Sequence, residues 1–496
     1  MYLLLPLSFA ILIALPLSAE PVRLSDAEGT LQIEGTLISR DGELYRIDTA
    51  FGPVTVDAGA LTCSGAGCPD PTDLIVRATV GGNEELVHRL FPALLEVFAD
   101  ARSWNSVRLF HADEHVIWEL RERETSRLVA IFEVKALSLE DTRKGLRDGE
   151  LTLGLSFDES ESDMRHDVVA LDALVPAVAP DNPRAMVTLS QLSYLLSGEG
   201  ASWARLGGPS VPVSVHVPSS LEVDPSVFGL DTLPSNLETH PSVSQLADTV
   251  ARNSAAIGLV PYSSLGNAVP LIVSGSCGLA TPATRDTLRA EDYPLTQPVF
   301  LNSVGADHPK VVRDLIAFSR SAAVQPIIRA TGFVDQAIGR IGFEQQGDRI
   351  ASAVLSAGDD PERVAEVRDM IGVLLGGERL TLTFRFRDGE STLDPQSTSN
   401  VQRLADAISD GLFDGQDIIF VGFSDGIGDP DANLRLSERR ARSVRRAVSA
   451  RLPETEVALD VAAFGELMPM ACDDAPWGGR VNRRVEVWIK PQEVDP

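Results

Sequence analysis

The sequence predicts a multidomain chain of mixed α/β and α+β class, and three observations carry that expectation. At 496 residues it is too long for one hydrophobic core. Short β-like runs fill its first part, and from Leu74 strands and helices alternate instead. Near the end an apolar run breaks at a Gly- and Pro-containing loop and passes into a long amphipathic helix. The composition, 44% hydrophobic and 23% charged, is that of ordinary globular protein. With 71 acidic against 43 basic residues the net charge is -28, which argues against non-specific binding to nucleic acid or anionic lipid.

Leu3 to Leu17 is an apolar run that ends in Ser18-Ala19, before the polar Glu20. Residues 1–19 are therefore expected to be a cleavable export signal, too short to span a bilayer. No cysteine follows the run, so no lipoprotein anchor is expected, and no later stretch approaches transmembrane length. The four cysteines suit an oxidising compartment. Cys63 and Cys68 flank Ser-Gly-Ala-Gly, flexible enough for a local disulfide, whereas two thiols alone make a poor zinc site. Cys277 and Cys472 either pair across domains or stay free.

Residues 20–74 read as a small β module, with Asp41-Gly42 as a hairpin signal between two of its runs. Residues 75–343 form an α/β region. It opens with the strand Leu74 to Val80, the turn Gly81-Gly82-Asn83 and a helix with Leu86, Leu90, Leu94 and Val97 on one face. A strand within Asp167 to Pro183, a helix from Leu189 to Leu196 and a strand from Ala256 to Tyr262 follow. Residues 344–376 turn helical and polar, with Ile350, Val354, Val364, Val367, Ile371 and Leu374 as scattered apolar contacts, and read as linker helices. Residues 377–491 form the last domain.

In that domain Ile418 to Phe423 reads as a buried strand, and Asp431 is placed to cap the following helix. Leu434, Ser437, Ala441, Val444 and Val448 share one helix face, and Arg440 falls at its edge near the loop of Asp425. A carboxylate and a planar guanidinium so placed can grip a zwitterion, Asp425 taking an ammonium and Arg440 a carboxylate. The plainer reading is a surface ion pair between the two, worth at most about 1 kcal/mol.

Gly422, Ser424, Asp425, Asn433, Leu436-Ser437, Arg440-Ala441 and the later Asn482-Arg483-Arg484-Val485-Glu486-Val487 resemble the OmpA-like peptidoglycan-binding domain, over about Leu380 to Lys490. The resemblance implies a βαβ fold and a site for the diaminopimelate of a cell-wall stem peptide. Asp425, Arg440, Asn433, Ser424 and Arg483 are its implied peptidoglycan-binding residues. Phe423 departs from the family, where histidine is usual.

The α/β region resembles the phosphate-type (type II) periplasmic binding proteins, over about residues 75–345. The resemblance rests on Asn182-Pro183 after a strand, Ser197-Gly198, Trp203, Leu206-Gly207-Gly208, the Ile257-Gly-Leu-Val-Pro-Tyr262 strand and the Tyr293-Pro-Leu turn. It implies two lobes with a ligand between them, and Gly82, Asn83 and Ser156 as ligand-binding candidates. Transport relatives hold phosphate with a hydroxyl-rich turn at a helix N-terminus. Here that turn is Gly81-Gly82-Asn83-Glu84, and no arginine follows the serine in Gly154-Leu-Ser-Phe-Asp158.

His111-Ala-Asp-Glu-His115 matches a zinc-peptidase pattern, but its flanks read as strands around a turn rather than as a helix. Ser274-Gly-Ser-Cys277 lacks an assignable histidine and acid partner. No catalytic set, metal site or cofactor is expected. The chain reads as a non-enzymatic periplasmic protein held on peptidoglycan, on the outer-membrane side of a Gram-negative envelope. Its two-lobed domain would hold a small anion or a protein partner. The alternative is a phosphate or other small-anion receptor for an ABC importer.

Overall fold

The computed structural model describes residues 21–26, 28–41, 44–58, 61–69, 75–110, 115–159, 164–197, 200–219, 225–228, 230–232, 237–305, 308–386, 392–452, 457–473 and 476–492. The expected export signal, Gly42, Leu74, residues 111–114 of the histidine motif and Gly198 lie outside them. The chain divides into two compact units.

One unit comprises residues 1–79, 99–134 and 305–317. Its five-stranded sheet runs in the order Gly52–Asp57, Leu44–Thr49, Gln32–Asp41, Pro21–Ser25, Thr62–Ser64. Val22, Leu24, Tyr45 and Ile47 alternate inward and make its core. Asp41 stands opposite Leu44 in the antiparallel pairing of these two strands. The Cys63–Cys68 disulfide is present. The flanks of the histidine motif are the antiparallel strands Trp104–Phe110 and Val116–Glu122, as expected.

The other unit comprises residues 80–98, 135–304 and 318–496. Within it strands lie in the order Glu238–His240, Ser214–Pro218, Ala256–Pro261, Arg165–Val178, Thr296–Ser303, Leu153–Ser156, followed by the end of Val76–Gly82. The long strand Arg165–Val178 belongs to two lobes. Its first part pairs with Thr296–Ser303, and from Leu174 onward it pairs with Ala256–Pro261. Buried on both faces, it reads as one apolar run, as a central strand must. The second lobe closes around Leu192, Leu195, Trp203, Phe228, Ile257 and Leu259. Its helix Leu189–Leu196 starts at a capping box between Thr188 and Gln191. In the first lobe Leu86, Leu90 and Leu94 are buried as expected, through a π-helical turn at Leu86–Leu90 that leads into the helix Phe91–Asp100.

The last domain is a five-stranded sheet, ordered Arg340–Gly342, Glu378–Arg385, Arg484–Pro491, Gln416–Gly422, Leu459–Ala463. Successive strand residues face opposite ways. Phe420 and Val487 face the helices Pro395–Ser409 and Pro430–Ser449, meeting Leu404 and Val444. Val421 and Trp488 face the helices Gly347–Ala357 and Pro361–Leu374, meeting Ala353, Val367, Met370 and Leu374. The segment read as linker helices is thus packed on the second face of this sheet. Val354 and Val364, expected as contacts, are exposed instead.

Two details of the long helix differ from expectation. Its cap is Asp429, whose Oδ1 accepts from the Ala432 amide at 2.8 Å, rather than Asp431. Pro430 fits the first helical position, which moves the cap back. The inward position at the helix start belongs to Asn433, and Leu434 is exposed. The architecture is mixed α/β and α+β, and among the described residues no helix is long and apolar enough to cross a membrane.

Candidate functional site

The strand Gln416–Gly422 delivers the loop of Asp425 to the start of the long helix. A Cβ on Gly422 would meet the Ser437 carbonyl oxygen at 2.2 Å, so only glycine lets strand and helix approach this closely. Ser424 is buried. Its amide donates to the Gly465 carbonyl at 2.8 Å, and its hydroxyl has no hydrogen-bond partner among the described residues. Asn433 shapes the loop, its Nδ2 donating to the carbonyls of Asp425 and Ile427, each at 3.2 Å.

The second motif braces the neighbouring loop. Asn482 accepts from the amides of Met470 and Ala471 and donates to the Ala471 carbonyl and Asp473 Oδ1. Asp473 Oδ2 in turn accepts from the Gly426 amide at 2.8 Å, which ties the two loops together. Nothing in the sequence around Asp473 signals this role.

Asp425 receives Arg483 Nη1 at 2.8 Å, with both side chains still partly open to solvent. The ion pair at this carboxylate is therefore with Arg483 rather than with Arg440. Arg440 lies inside the buried helix face rather than at its edge, its guanidinium 5.2 Å from the centre of the Phe386 ring. Asp425, Arg483 and Arg440 thus stand at the same end of the sheet.

Phe423 is core. It packs against Phe464, and the Arg484 guanidinium lies 4.4 Å from its ring centre. Beneath it Glu486 accepts from Arg484 Nε at 2.8 Å, Arg349 Nη2 at 2.5 Å and Trp488 Nε1 at 2.9 Å. Burial opposes ionisation of Glu486, yet Arg349, Arg379 and Arg484 hold its carboxyl well below the usual range. Cys277 and Cys472 form a disulfide that closes the choice left open by the sequence, and it joins the loop of Asp473 to the second lobe.

The structure also brings Gly82, Asn83 and Ser156 together, because Gly82 pairs with Leu155 in parallel strands. A Cβ on Gly82 would lie 2.1 Å from the Leu155 carbonyl oxygen. The Asn83 main-chain amide and the Ser156 hydroxyl are spent internally. The Asn83 amide donates to the Leu155 carbonyl at 3.0 Å, and Asn83 Oδ1 accepts from the Glu85 amide at the helix start. Ser156 Oγ donates to the Asp158 carbonyl at 2.7 Å and accepts from Asn302 Nδ2 at 3.0 Å. Glu84 is exposed.

Deeper in the hinge, Arg89 donates to the hydroxyls of Ser263 and Ser264, each at 2.7 Å. Ser263 gives its amide and hydroxyl to Asp172, at 2.9 and 2.6 Å. Burial pushes the Asp172 carboxyl up to about 6 despite these bonds. The sequence signal for this cluster is the one acid inside the apolar run Val168 to Val175. Among the described residues no group of three or more His, Cys, Asp or Glu side chains could hold a metal ion.

A family model described as the OmpA family matches residues 385–483. Outer membrane porin F of Pseudomonas fluorescens is 33% identical over 118 residues, 23% of this chain and 34% of that porin. The chain thus spans about a third of that relative's length. The phosphate-binding protein PstS of Borreliella burgdorferi is 24% identical over 193 residues, 36% of this chain and 69% of that protein. Among solved structures, an ABC-type phosphate transport receptor from Vibrio cholerae is 17% identical, with a TM-score of 0.39, and the match covers 52% of this chain and 99% of that one. The C-terminal part of the chain carries an OmpA domain, and the region before it resembles the phosphate-binding PstS proteins.

Proposed function

We propose that this is a non-enzymatic envelope protein held on peptidoglycan through its OmpA domain, in the periplasm on the outer-membrane side of a Gram-negative envelope. Asp425 takes the ammonium and Arg440 the carboxylate of diaminopimelate in a stem peptide, with Ser424, Asn433 and Arg483 shaping the grip. The observation that carries this reading is the pair of loops braced by Asn433 and Asn482, which holds Asp425 and Arg483 together at the mouth of the sheet. The division into an export signal (1–19), a β module (20–74), a two-lobed domain from 75 and the wall-binding domain belongs to the same proposal, with the strand Arg340–Gly342 and the expected linker helices of 344–376 counted with the wall-binding domain, on whose sheet they pack. Tethering would raise the effective concentration of the two-lobed domain at the wall.

The test is co-sedimentation of the full chain with diaminopimelate-containing sacculi. The parent should pellet, and Asp425→Ala and Arg440→Ala should each stay in the supernatant while still unfolding in one cooperative transition. Parent-like pelleting by both variants would sink the zwitterion grip.

The PstS relative favours a second reading, a receptor for phosphate or another small anion. The internally bonded Asn83 amide and Ser156 hydroxyl weigh against it, because a desolvated phosphate needs donors aimed at it.

A further inference from the structure

The OmpA domain touches the two-lobed domain at three separate places. At the first lobe, Gln396 Nε2 donates to Gln336 Oε1 at 3.3 Å, and Gln336 Nε2 donates to the Val168 carbonyl at 3.1 Å. At the hinge, Arg379 grips both carboxylate oxygens of Asp292, at 2.6 and 2.9 Å, and both side chains are buried. Arg385 there holds the Glu291 carboxylate at 2.8 Å and the Glu291 carbonyl at 2.6 Å. At the second lobe, the Cys277–Cys472 disulfide forms a covalent link. Beside it Met470, Ala471, Trp477 and Val481 pack with Leu189 and Val227.

These contacts fall on both sides of the crossover at Leu174, where the strand Arg165–Val178 passes from one lobe to the other. Two-lobed binding domains close by rotating their lobes about such connections. Rotation here would have to stretch a disulfide, withdraw Trp477 from an apolar seat or separate a buried bidentate ion pair. Breaking a buried pair alone is strongly unfavourable, because each charge would be left desolvated. The hinge cluster adds a fourth restraint, since Arg89 of the first lobe already bonds Ser263 and Ser264, which follow the second lobe's strand Ala256–Pro261.

We propose that the OmpA domain clamps the two lobes at one fixed angle, so that the two-lobed domain is a static platform rather than a closing receptor. The clamp does not depend on what the OmpA domain binds. It makes the joined domains present one surface of constant shape.

The experiment places spin labels on cysteines introduced at the exposed positions Glu140 in the first lobe and Asp248 in the second, in the full oxidised chain. The interlobe distance is then read by pulsed electron resonance. The parent background should give one narrow distance distribution, unchanged by inorganic phosphate. Cys277→Ser with Cys472→Ser, so that no extra thiol takes a label, combined with Trp477→Ala should broaden it about twofold or add a second population, as expected of a released hinge. If that variant does not fold, Cys277→Ser with Cys472→Ser alone under the same labels should still broaden the distribution. A broad or two-peaked distribution in the parent, a shift on adding phosphate, or a released variant as narrow as the parent would each overturn the clamp.

Discussion

Arg483 donates to Asp425 at 2.8 Å across 58 residues of sequence, joining the two separated halves of the OmpA-like motif in one partly open ion pair. A bound ammonium would share that carboxylate. Arg483 therefore orients Asp425, and Arg483→Ala should weaken binding of a diaminopimelate peptide by about tenfold, one charge-assisted hydrogen bond's worth. Titration calorimetry checks this. Unchanged affinity would leave Arg483 as a bystander.

The Arg379–Asp292 pair is buried on both sides and bidentate. Replacing Arg379 by methionine strands the Asp292 carboxylate and should cost on the order of 3–5 kcal/mol in denaturant unfolding. Replacing both residues by apolar ones of similar size should recover much of that loss. A double variant no better than Arg379→Met would show that the guanidinium is needed for some other contact.

Glu291 supplies the pH dependence at the same seam. Burial pushes its carboxyl from 4.5 to about 7, with Arg385 pulling the other way. The folded state then holds this proton more tightly than the unfolded chain, so stability falls as pH rises through roughly 4.5 to 7. Asp172, raised from 3.8 to about 6 by burial, acts in the same direction. Glu486 acts oppositely and only in acid, because its depressed carboxyl loses stability as pH falls below its ordinary range. Unfolding curves at pH 5 and pH 8 should favour pH 5, and Glu291→Gln should narrow the difference. An equal difference in the variant would rule Glu291 out as its source.

The local parts of this fold were legible and the long-range ones were not. Apolar runs and turn residues placed the helix Leu189–Leu196 and the strand core at Ile418 to Gly422 within a residue or two, because those signals are local. The cap is Asp429 and not Asp431, a choice the sequence leaves open because both aspartates flank Pro430 and only the helix start distinguishes them. The edge strand Arg340–Gly342 of the last sheet has no signal in the sequence, since three residues carry no period. Asp425 and Arg440 could be singled out by their motif, but the partner of Asp425 could not. Arg483 reaches it only after two separated loops are folded side by side. The pairing of Cys277 with Cys472 likewise depends on how two domains dock, which no spacing encodes.

At the expected anion turn, the Asn83 amide and the Ser156 hydroxyl already have protein partners. Phosphate should therefore bind the full chain no more tightly than about millimolar, near -4 kcal/mol. Calorimetry with inorganic phosphate measures this. A submicromolar isotherm would restore the importer reading.

The wall anchor is tested most directly by titrating the full chain with two soluble stem peptides, one carrying diaminopimelate and one carrying lysine in its place. Lysine keeps the side-chain ammonium and lacks the carboxylate that Arg440 would take. The diaminopimelate peptide should bind at least about tenfold more tightly, and Arg440→Ala should erase that preference. Equal affinity for the two peptides, or a preference that survives Arg440→Ala, would contradict a zwitterion grip by Asp425 and Arg440.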